Sequence, residues 1–506
     1  METSRKFDVD VLVCGGGVAG SAAGIAAARL GARTLLVEGR ESLGGLCTNG
    51  YISGIAGVVE GLCEEWVDRL AAKGAALKRP HLPVIEPEMG KMELEQMLLQ
   101  AGCRILYGVH VADCVVQDGR IESVIAYSKS GKMEIRAKVF IDCTGDADLA
   151  FAAGVPCEVG SAEYCGLNQS VTMGLRLSYV NVKRYEEADA AFQKTGTLED
   201  RAQLVVAKEH EAIANGDLPW LLVPGLLVYP VPGGDPECCD VTLDATQTYY
   251  CRNDDVEDLT RQIVDQHRQV QWFAAFLKKY VPGFENCAIA AMASMNGVRD
   301  SRRIVGEYVF TDADMAAGAK FDDGIARNPE FFDAHHPTCG DYVAVRHIHL
   351  QRPPGGSAVV RPSQDDANHR MHPFVTPAGY EVRTNPRDWA EIPYRSLVAS
   401  KVGNLLAAGR NVSAEFHALG TIRVIACAML MGQAAGTAAA MCAEEGVAPR
   451  DLDGGRVRRA LIQQGVPLDE APGGIWEKLR NMPGTIEVAS SDFAVIVNEE
   501  GQSRTF

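Results

Sequence analysis

The 506-residue sequence predicts an α/β fold. A parallel sheet begins at the N-terminus, is interrupted by an inserted α+β unit, and is completed by a segment near the C-terminal end. Three observations predict it. The stretch from Val11 to Glu38, VLVCGGGVAGSAAGIAAARLGARTLLVE, is apolar, then glycine-rich, then alanine-rich, then apolar again, and it stops on an acid. A polar, glycine-containing break, Asp142–Cys143–Thr144–Gly145–Asp146, follows the strand read at 134–141. Far downstream, Asn404 to Ala408 is another short apolar run, and it ends in Gly409–Arg410.

Val11 to Cys14 reads as a strand buried on both faces. Gly15, Gly17 and Gly20 then give G-x-G-x-x-G. The first glycine allows a tight turn, the second lets backbone approach a pyrophosphate, and the third lets a helix lie on the strand. Ser21 to Leu30 suits that helix, whose free N–H groups favour phosphate at its start. Ala32 to Val37 is the next strand. Glu38 lies 18 residues after Gly20, where an acid bonds ribose hydroxyls and disfavours a 2′-phosphate. This order defines a dinucleotide-binding βαβ unit. By itself it does not choose between NAD and FAD.

Residues 64–75 and 93–101 read as helices on either side of the proline-rich connection at 78–91. Residues 104–111 and 117–127 alternate like strands around the turn Gln117–Asp118–Gly119. The strand at 134–141 runs into Asp142–Asp146, a strand end of the kind where open α/β sheets bind ligands. From about residue 160 the character changes. Residues 174–180 and 226–232 read as strands, 254–279 as a long helix, and 320–390 as loop-rich. The region after 450 reads as a helix and a marginally ordered tail. The organisation implied is a first domain made of 1–160 and 396–450, an inserted domain at 161–395, and a C-terminal piece at 451–506.

The length exceeds what one core supports. Apolar content of 47% and charged content of 23% are ordinary for a soluble globular protein. A net charge of −17 argues against a nucleic-acid partner, which needs a basic surface, and fits a cytoplasmic location. Fifteen cysteines are scattered with no C-x-x-C, as expected of reduced thiols rather than a metal or disulfide framework. The N-terminal residues show no secretory apolar region before the first strand. Residues 424–442 are polar only at Gln433 and Thr437 and carry Gly432 and Gly436 in G-x-x-x-G spacing. A stretch so rich in alanine and glycine is weakly hydrophobic, and we read it as a buried helix rather than a membrane span.

Gly44–Gly45 follow Glu38 as E-x5-G-G, residues 142–146 read D-C-T-G-D, and residues 404–440 read NLLAAGRNVSAEFHALGTIRVIACAMLMGQAAGTAAA. Together these resemble the FAD-dependent oxidoreductase family of the two-dinucleotide-binding-fold flavoproteins, to which glutathione reductase and fumarate reductase are related. The resemblance continues through NGVRDSRRIVGEYVFTDADM, FDDGIARNPEFFDAHHP and EIPYRSL, and covers most of residues 8–447. It implies a Rossmann-like FAD-binding domain with FAD as resident cofactor. Gly15, Gly17 and Gly20 would face the pyrophosphate, Glu38 the adenosine ribose, and Gly44 and Gly45 the pyrophosphate and ribityl region. Val111 would offer backbone contacts to the adenine. Gly145 and Asp146 would also bind the cofactor, Gly409 and Arg410 would end a strand at the flavin, and Gly432, Gln433 and Ala434 would open the helix beneath it. One departure is informative. Leu46–Cys47–Thr48–Asn49 resembles the G-G-x-C start of disulfide reductases, which need a second cysteine five residues on. Here that position is Ile52, which disfavours a thiol relay.

The catalytic candidates are His417, Arg423, Cys47 and Arg299. His417 suits acid–base work near neutrality, or is a hydrogen-bonded structural histidine. Arg423 orients a substrate oxygen or the flavin carbonyls, or makes a salt bridge at a helix start. Arg299, Arg302 and Arg303 form a cationic cluster that grips an anion, or pairs with Asp300, Glu307 and Asp312. Cys47 is expected close to the flavin, as a reactive group or as packing. Asp333, His335 and His336 look like metal ligands, but no metal is assigned. Tyr394 and Arg395 are expected at the interface between domains. The expected reaction is hydride transfer between a small-molecule substrate and flavin N5. An unidentified electron acceptor or donor completes the cycle, with no nucleic-acid partner and no membrane span. The alternatives are a flavin-binding scaffold without turnover and an NAD-dependent dehydrogenase lacking flavin.

Overall fold

The computed structural model describes residues 5–79, 82–195, 204–220, 222, 228–328, 333–338, 348–351, 359–362, 389–472, 485–490, 493–497 and 503–505. Its centre is the N-terminal unit β1 (Arg5–Cys14), α1 (Val18–Arg29) and β2 (Thr34–Glu38). β1 and β2 run parallel, with Val11 beside Thr34 and Cys14 beside Val37. Val11 to Cys14 are wholly buried, as two-sided coverage requires. β1 begins earlier than its apolar run, because Arg5 to Val9 also pair with the strand at 131–142.

α2 (Gly61–Ala72) and α3 (Pro87–Gln100) follow. α3 reaches back into the connection read as loop. Proline suits the first helical position, and the Glu86 side chain caps the helix by accepting the Met89 N–H at 2.6 Å. The run at 104–111 is two strands, β3 (Arg104–Tyr107) and β4 (His110–Gln117). β5 (Arg120–Ser128) hairpins back on β4, and β6 (Gly131–Asp142) pairs antiparallel with β5 and parallel with β1. The sheet order is β3-β2-β1-β6-β5-β4.

A separate antiparallel sheet is built from β7 (Gly174–Val180), β8 (Val228–Pro230), β9 (Cys239–Asp244) and, beyond the long helix α4 (Val256–Tyr280), β10 (Ala288–Met292). Its order is β8-β9-β7-β10. Leu175, Leu177, Val241 and Leu243 of the sheet pack with Phe273, Phe276 and Leu277 of α4 in one apolar core. Residues 226 and 227 of the strand expected there lie outside the described residues. So do 329–332, 339–347, 352–358 and 363–388 of the loop-rich stretch, but that stretch also contains the strand Gly324–Asn328, paired with Ala390–Pro393.

The chain then returns to the first sheet. β11 (Leu405–Ala407) pairs parallel with β6, Leu405 beside Phe140 and Ala407 beside Asp142. α5 (Phe416–Ile422) leads into α6 (Ile425–Glu445). By length and composition α6 could cross a membrane, yet 89% of its apolar window is buried inside the protein. It lies against α1 so closely that a Cβ at Gly432 would overlap the Ala19 carbonyl, and one at Gly436 the Ala23 carbonyl. After residue 450 comes α7 (Gly454–Gln463), which packs on α6. The region read as a tail also contributes strands Thr485–Ser490, Phe493–Val497 and Ser503–Thr505 to a small sheet with Ile348–Gln351 and Val359–Pro362.

Candidate functional site

The C-terminal ends of β1, β2, β6 and β11 open on one cavity of about 940 Å³, the strand-end position expected for ligands in such sheets. The turn after β1 shapes its floor. Gly15 has φ +98°, and a side chain there would overlap the Cys143 carbonyl. At Gly17, which caps α1, a Cβ would meet nothing within 4 Å among the described residues. The space beside that backbone is open cavity. The Gly44 N–H donates to the Gly16 carbonyl at 2.9 Å, and Gly17 and Gly44 form a parallel bridge. Two glycine-rich segments thus line the cavity with backbone alone.

Glu38 ends β2 on the same wall. Its Oε2 accepts the Gly16 N–H at 2.5 Å and its Oε1 the Arg40 N–H at 2.8 Å. Val111 of β4 is nearby on the wall. At the end of β6, Asp142 is buried and shapes the break. It accepts from the Thr144 N–H and hydroxyl and from the Ala150 N–H, and burial raises its pKa despite those bonds. Gly145 and Asp146 then face the cavity. Arg410, just after β11, donates to Asp146 Oδ1 at 2.8 Å and to Ser301 Oγ at 3.0 Å. With Gly409 it completes this side.

Another part of the wall is ionic. Arg299 donates one Nη1 bond to the Ser170 carbonyl at 2.7 Å. Arg423 donates through Nη2 to the Asp333 carbonyl at 3.0 Å and lies 3.6 Å from the Asp333 carboxylate. His335 Nε2 is 3.4 Å from that carboxylate. Burial, then the nearby Arg299, push the His335 pKa down to about 3, so this histidine is neutral at physiological pH. Burial also lowers the pKa of Arg423 from its ordinary value. Its Nε has no hydrogen-bond partner. That Nε is sealed from solvent, but both guanidiniums line the cavity, and five N–H groups on each exceed the bonds given above.

The structure separates several expected site residues from the cavity. Gly432, Gln433 and Ala434 do not line it, because α6 starts at Ile425 and they fall two turns in. Gly432 faces α1, and Gln433 ties α2 and α7 by accepting the Leu62 N–H and donating to Gln464, both at 2.9 Å. The turn of α6 at the cavity is Ile425 to Ala428, entered from Val424. Gly20 sits beneath the Gly15 carbonyl, where any Cβ would overlap it, so it serves helix–strand packing rather than the cavity surface. Cys47 is wholly buried and off the wall, between Leu46 and Asn49, which are on it. Burial pushes its thiol far above the ordinary range, which suppresses the nucleophilic thiolate.

His417 is also off the wall. Its Nδ1 lies 2.8 Å from Asp312 Oδ2, the hydrogen-bonded structural arrangement. Of the three-arginine cluster only Arg299 reaches the cavity. Arg302 binds Asp148 and the Asp146 carbonyl, at 2.6 and 2.7 Å. Arg303 donates to the Ala414 and Gly160 carbonyls, with Asp300 at 3.7 Å. Glu307 pairs with Arg450 instead. The His336 Nδ1 is 3.1 Å from the Thr338 N–H nitrogen. Among the described residues no three His, Cys, Asp or Glu groups converge as metal ligands. Tyr394 donates to the Pro449 carbonyl and Arg395 to Asp323, both at 2.9 Å, away from the cavity. Asp244, at the end of β9, does line the cavity. Its only sequence signal was an acid closing an alternating strand.

A nucleotide-binding turn, an acid at the end of the second strand and a long cavity closed by a distant segment define a flavoprotein-type dinucleotide fold. Over residues 10–461 the chain matches the model of the FAD dependent oxidoreductase family; it belongs to that family, and its cofactor is FAD. The open backbone cradle at Gly17 and a cavity near the top of the ~300–1,000 Å³ range of cofactor sites fit such a group. The chain is 29% identical over 154 residues to thiamine thiazole synthase of Methanococcus aeolicus, covering 29% of this chain and 58% of that one. It is 31% identical over 151 residues to the same enzyme of Methanococcus vannielii, covering 28% and 57%. The chain thus spans a little over half the length of these curated relatives. Among solved structures, a geranylgeranyl bacteriochlorophyll reductase-like protein from Thermoplasma acidophilum is 13% identical, with 94% of this chain and 89% of that one covered at a TM-score of 0.41. The p-nitrophenol 4-monooxygenase of Pseudomonas putida is 11% identical, with 92% and 87% covered and a TM-score of 0.42.

Proposed function

We propose that this FAD-dependent oxidoreductase transfers a hydride between a small anionic molecule and the flavin N5. One observation carries the reading: the glycine cradle and Glu38 share a single cavity wall with two arginines, Arg299 and Arg423, whose guanidiniums carry more donors than their protein bonds use. Bound FAD would supply the two-electron chemistry. In this reading Gly15, Gly17, Gly44 and Gly45 hold the pyrophosphate and its neighbours by backbone, and Glu38 takes the ribose. Gly145, Asp146, Gly409 and Arg410 border the flavin half. Arg299 and Arg423 grip a carboxylate or similar anion on the substrate, since guanidinium donors match that geometry. Asp333 fixes Arg423, and neutral His335 adds no competing charge.

The test is an anaerobic spectral screen of the purified protein against small carboxylates and their uncharged amides or alcohols. Bleaching of the oxidised flavin, or reoxidation of the photoreduced flavin, by anionic members alone supports the proposal. A flavin untouched by every anion but turned over by neutral compounds overturns the anion assignment.

A further inference from the structure

The ionic part of the wall holds one carboxylate unlike the rest. Among the described residues, Glu38 accepts backbone N–H groups, Glu41 faces Lys129, Asp146 pairs with Arg410, Asp148 with Arg302, and Asp333 with His335 and Arg423. The Asp244 side chain lines the same cavity with no hydrogen bond or ion pair among the described residues, and its Oδ1 is sealed from solvent without a partner there. An anion in that setting has lost water on one oxygen and gained no N–H in exchange, whereas the neutral acid carries no such penalty. Burial raises its pKa against the pull of Arg299 and Arg423, with Asp333 adding to the rise. His335, on the same wall, brings no positive charge because it is itself held neutral.

We propose that Asp244 is the proton-transfer residue of the redox step, working from its protonated form on a small anionic substrate with a polarised C=C or C=O bond. This rests on the reading of the cavity as the flavin-dependent site. In the reductive direction bound reduced FAD would supply two electrons and one hydrogen, as hydride, to one atom of the substrate double bond. The neighbouring atom takes one proton, from the Asp244 carboxyl. The carboxylate left behind regains its proton from water. In the oxidative direction the ionised Asp244 receives the substrate proton as the hydride leaves. Arg299 and Arg423 hold the anionic group, and so set which atom lies nearest Asp244.

The test uses the FAD-loaded full chain. Asp142 and Asp300 are also buried with raised pKa values, so infrared spectra are compared as wild type minus Asp244→Asn at pH 6. One protonated-carboxyl band is expected in the difference, shifted in D₂O and lost as the pH is raised. Asp244→Ala, carried in parallel, is expected to remove the same band. With any anion that reoxidises the photoreduced flavin in the screen above, Asp244→Asn is expected to slow that step by ~100-fold or more while substrate affinity stays within about threefold. A yellow, folded pair of variants that leaves the carboxyl region unchanged, or an unchanged reoxidation rate, overturns the Asp244 assignment alone. A protein that takes up no flavin overturns the functional reading, and the infrared band remains a separate measurement.

Discussion

Arg410 Nη1 donates to Asp146 Oδ1 at 2.8 Å across 264 residues of sequence. The two side chains follow adjacent parallel strands, β6 and β11, whose pairing ends with Ala407 beside Asp142. The pair therefore latches the returning segment to the first sheet at the cavity edge. Asp146 is about a third exposed and Arg410 largely buried, so the interaction is partly screened. Removing the guanidinium in Arg410→Met leaves the Asp146 carboxylate, among the described residues, with the Ser301 hydroxyl as its hydrogen-bond donor. FAD affinity is expected to fall roughly tenfold, corresponding to about 1.4 kcal/mol, with global stability lowered by about 1 kcal/mol. Fluorescence titration of the apoprotein with FAD, alongside urea unfolding, measures both.

Gly17 offers a cleaner separation of binding from folding. Among the described residues a Cβ at this position meets no atom within 4 Å, and the backbone is at φ −61° and ψ −179°, conformations open to any residue. Gly17→Val should therefore fold, with a stability change within about 1 kcal/mol. Its side chain would occupy the space where a pyrophosphate approaches the backbone. The expected product is a colourless protein with a near-wild-type unfolding transition. A variant that purifies yellow removes Gly17 from the cofactor site.

Gly432→Val should do the opposite. There the added side chain overlaps the Ala19 main chain, and neither helix can move without disturbing the sheet beneath α1. Overpacking of this kind costs on the order of 1–3 kcal/mol or more. We expect a marked drop in the thermal midpoint, and flavin loss only in proportion to unfolding. Circular dichroism melts followed together with flavin fluorescence separate the two effects.

That contrast also shows what sequence could and could not reveal. The first turn was legible because strand, glycine spacing, helix and terminal acid are fixed by local sterics over 28 residues, Val11 to Glu38. The G-x-x-x-G at 432–436 announced a close approach but not what approaches; the partner is α1, not the cofactor. His417 and Arg423 are six residues apart, which on a helix turns the second by about 240° from the first. One therefore reaches Asp312 and the other the cavity. The three-arginine cluster was divided by where the strand begins: Arg302 and Arg303 sit in Arg302–Ile304, paired with Cys157–Val159, while Arg299 precedes it. The role of Asp244 was not legible for a different reason. The residue belongs to the second sheet, and only the tertiary fold brings the end of β9 to the ends of the first sheet's strands.

His335 supplies a pH dependence with a definite sign. Its pKa in the fold is about 3, below its ordinary 6.5, chiefly because burial penalises the charged ring. In the unfolded chain the imidazole takes up a proton first as the pH falls, so the unfolded state binds more protons across this range. Stability attributable to His335 is thus complete above about pH 6.5 and is lost progressively as the pH drops toward 3. At pH 4 the loss amounts to at most about 3 kcal/mol, from the pKa difference alone. His335→Gln cannot titrate, and it is expected to show a correspondingly shallower decline in urea-unfolding free energy between pH 7 and pH 4. Equal slopes for the variant and the wild type would show that this imidazole accepts its proton without unfolding, and that the buried neutral state assigned to it on the cavity wall is wrong.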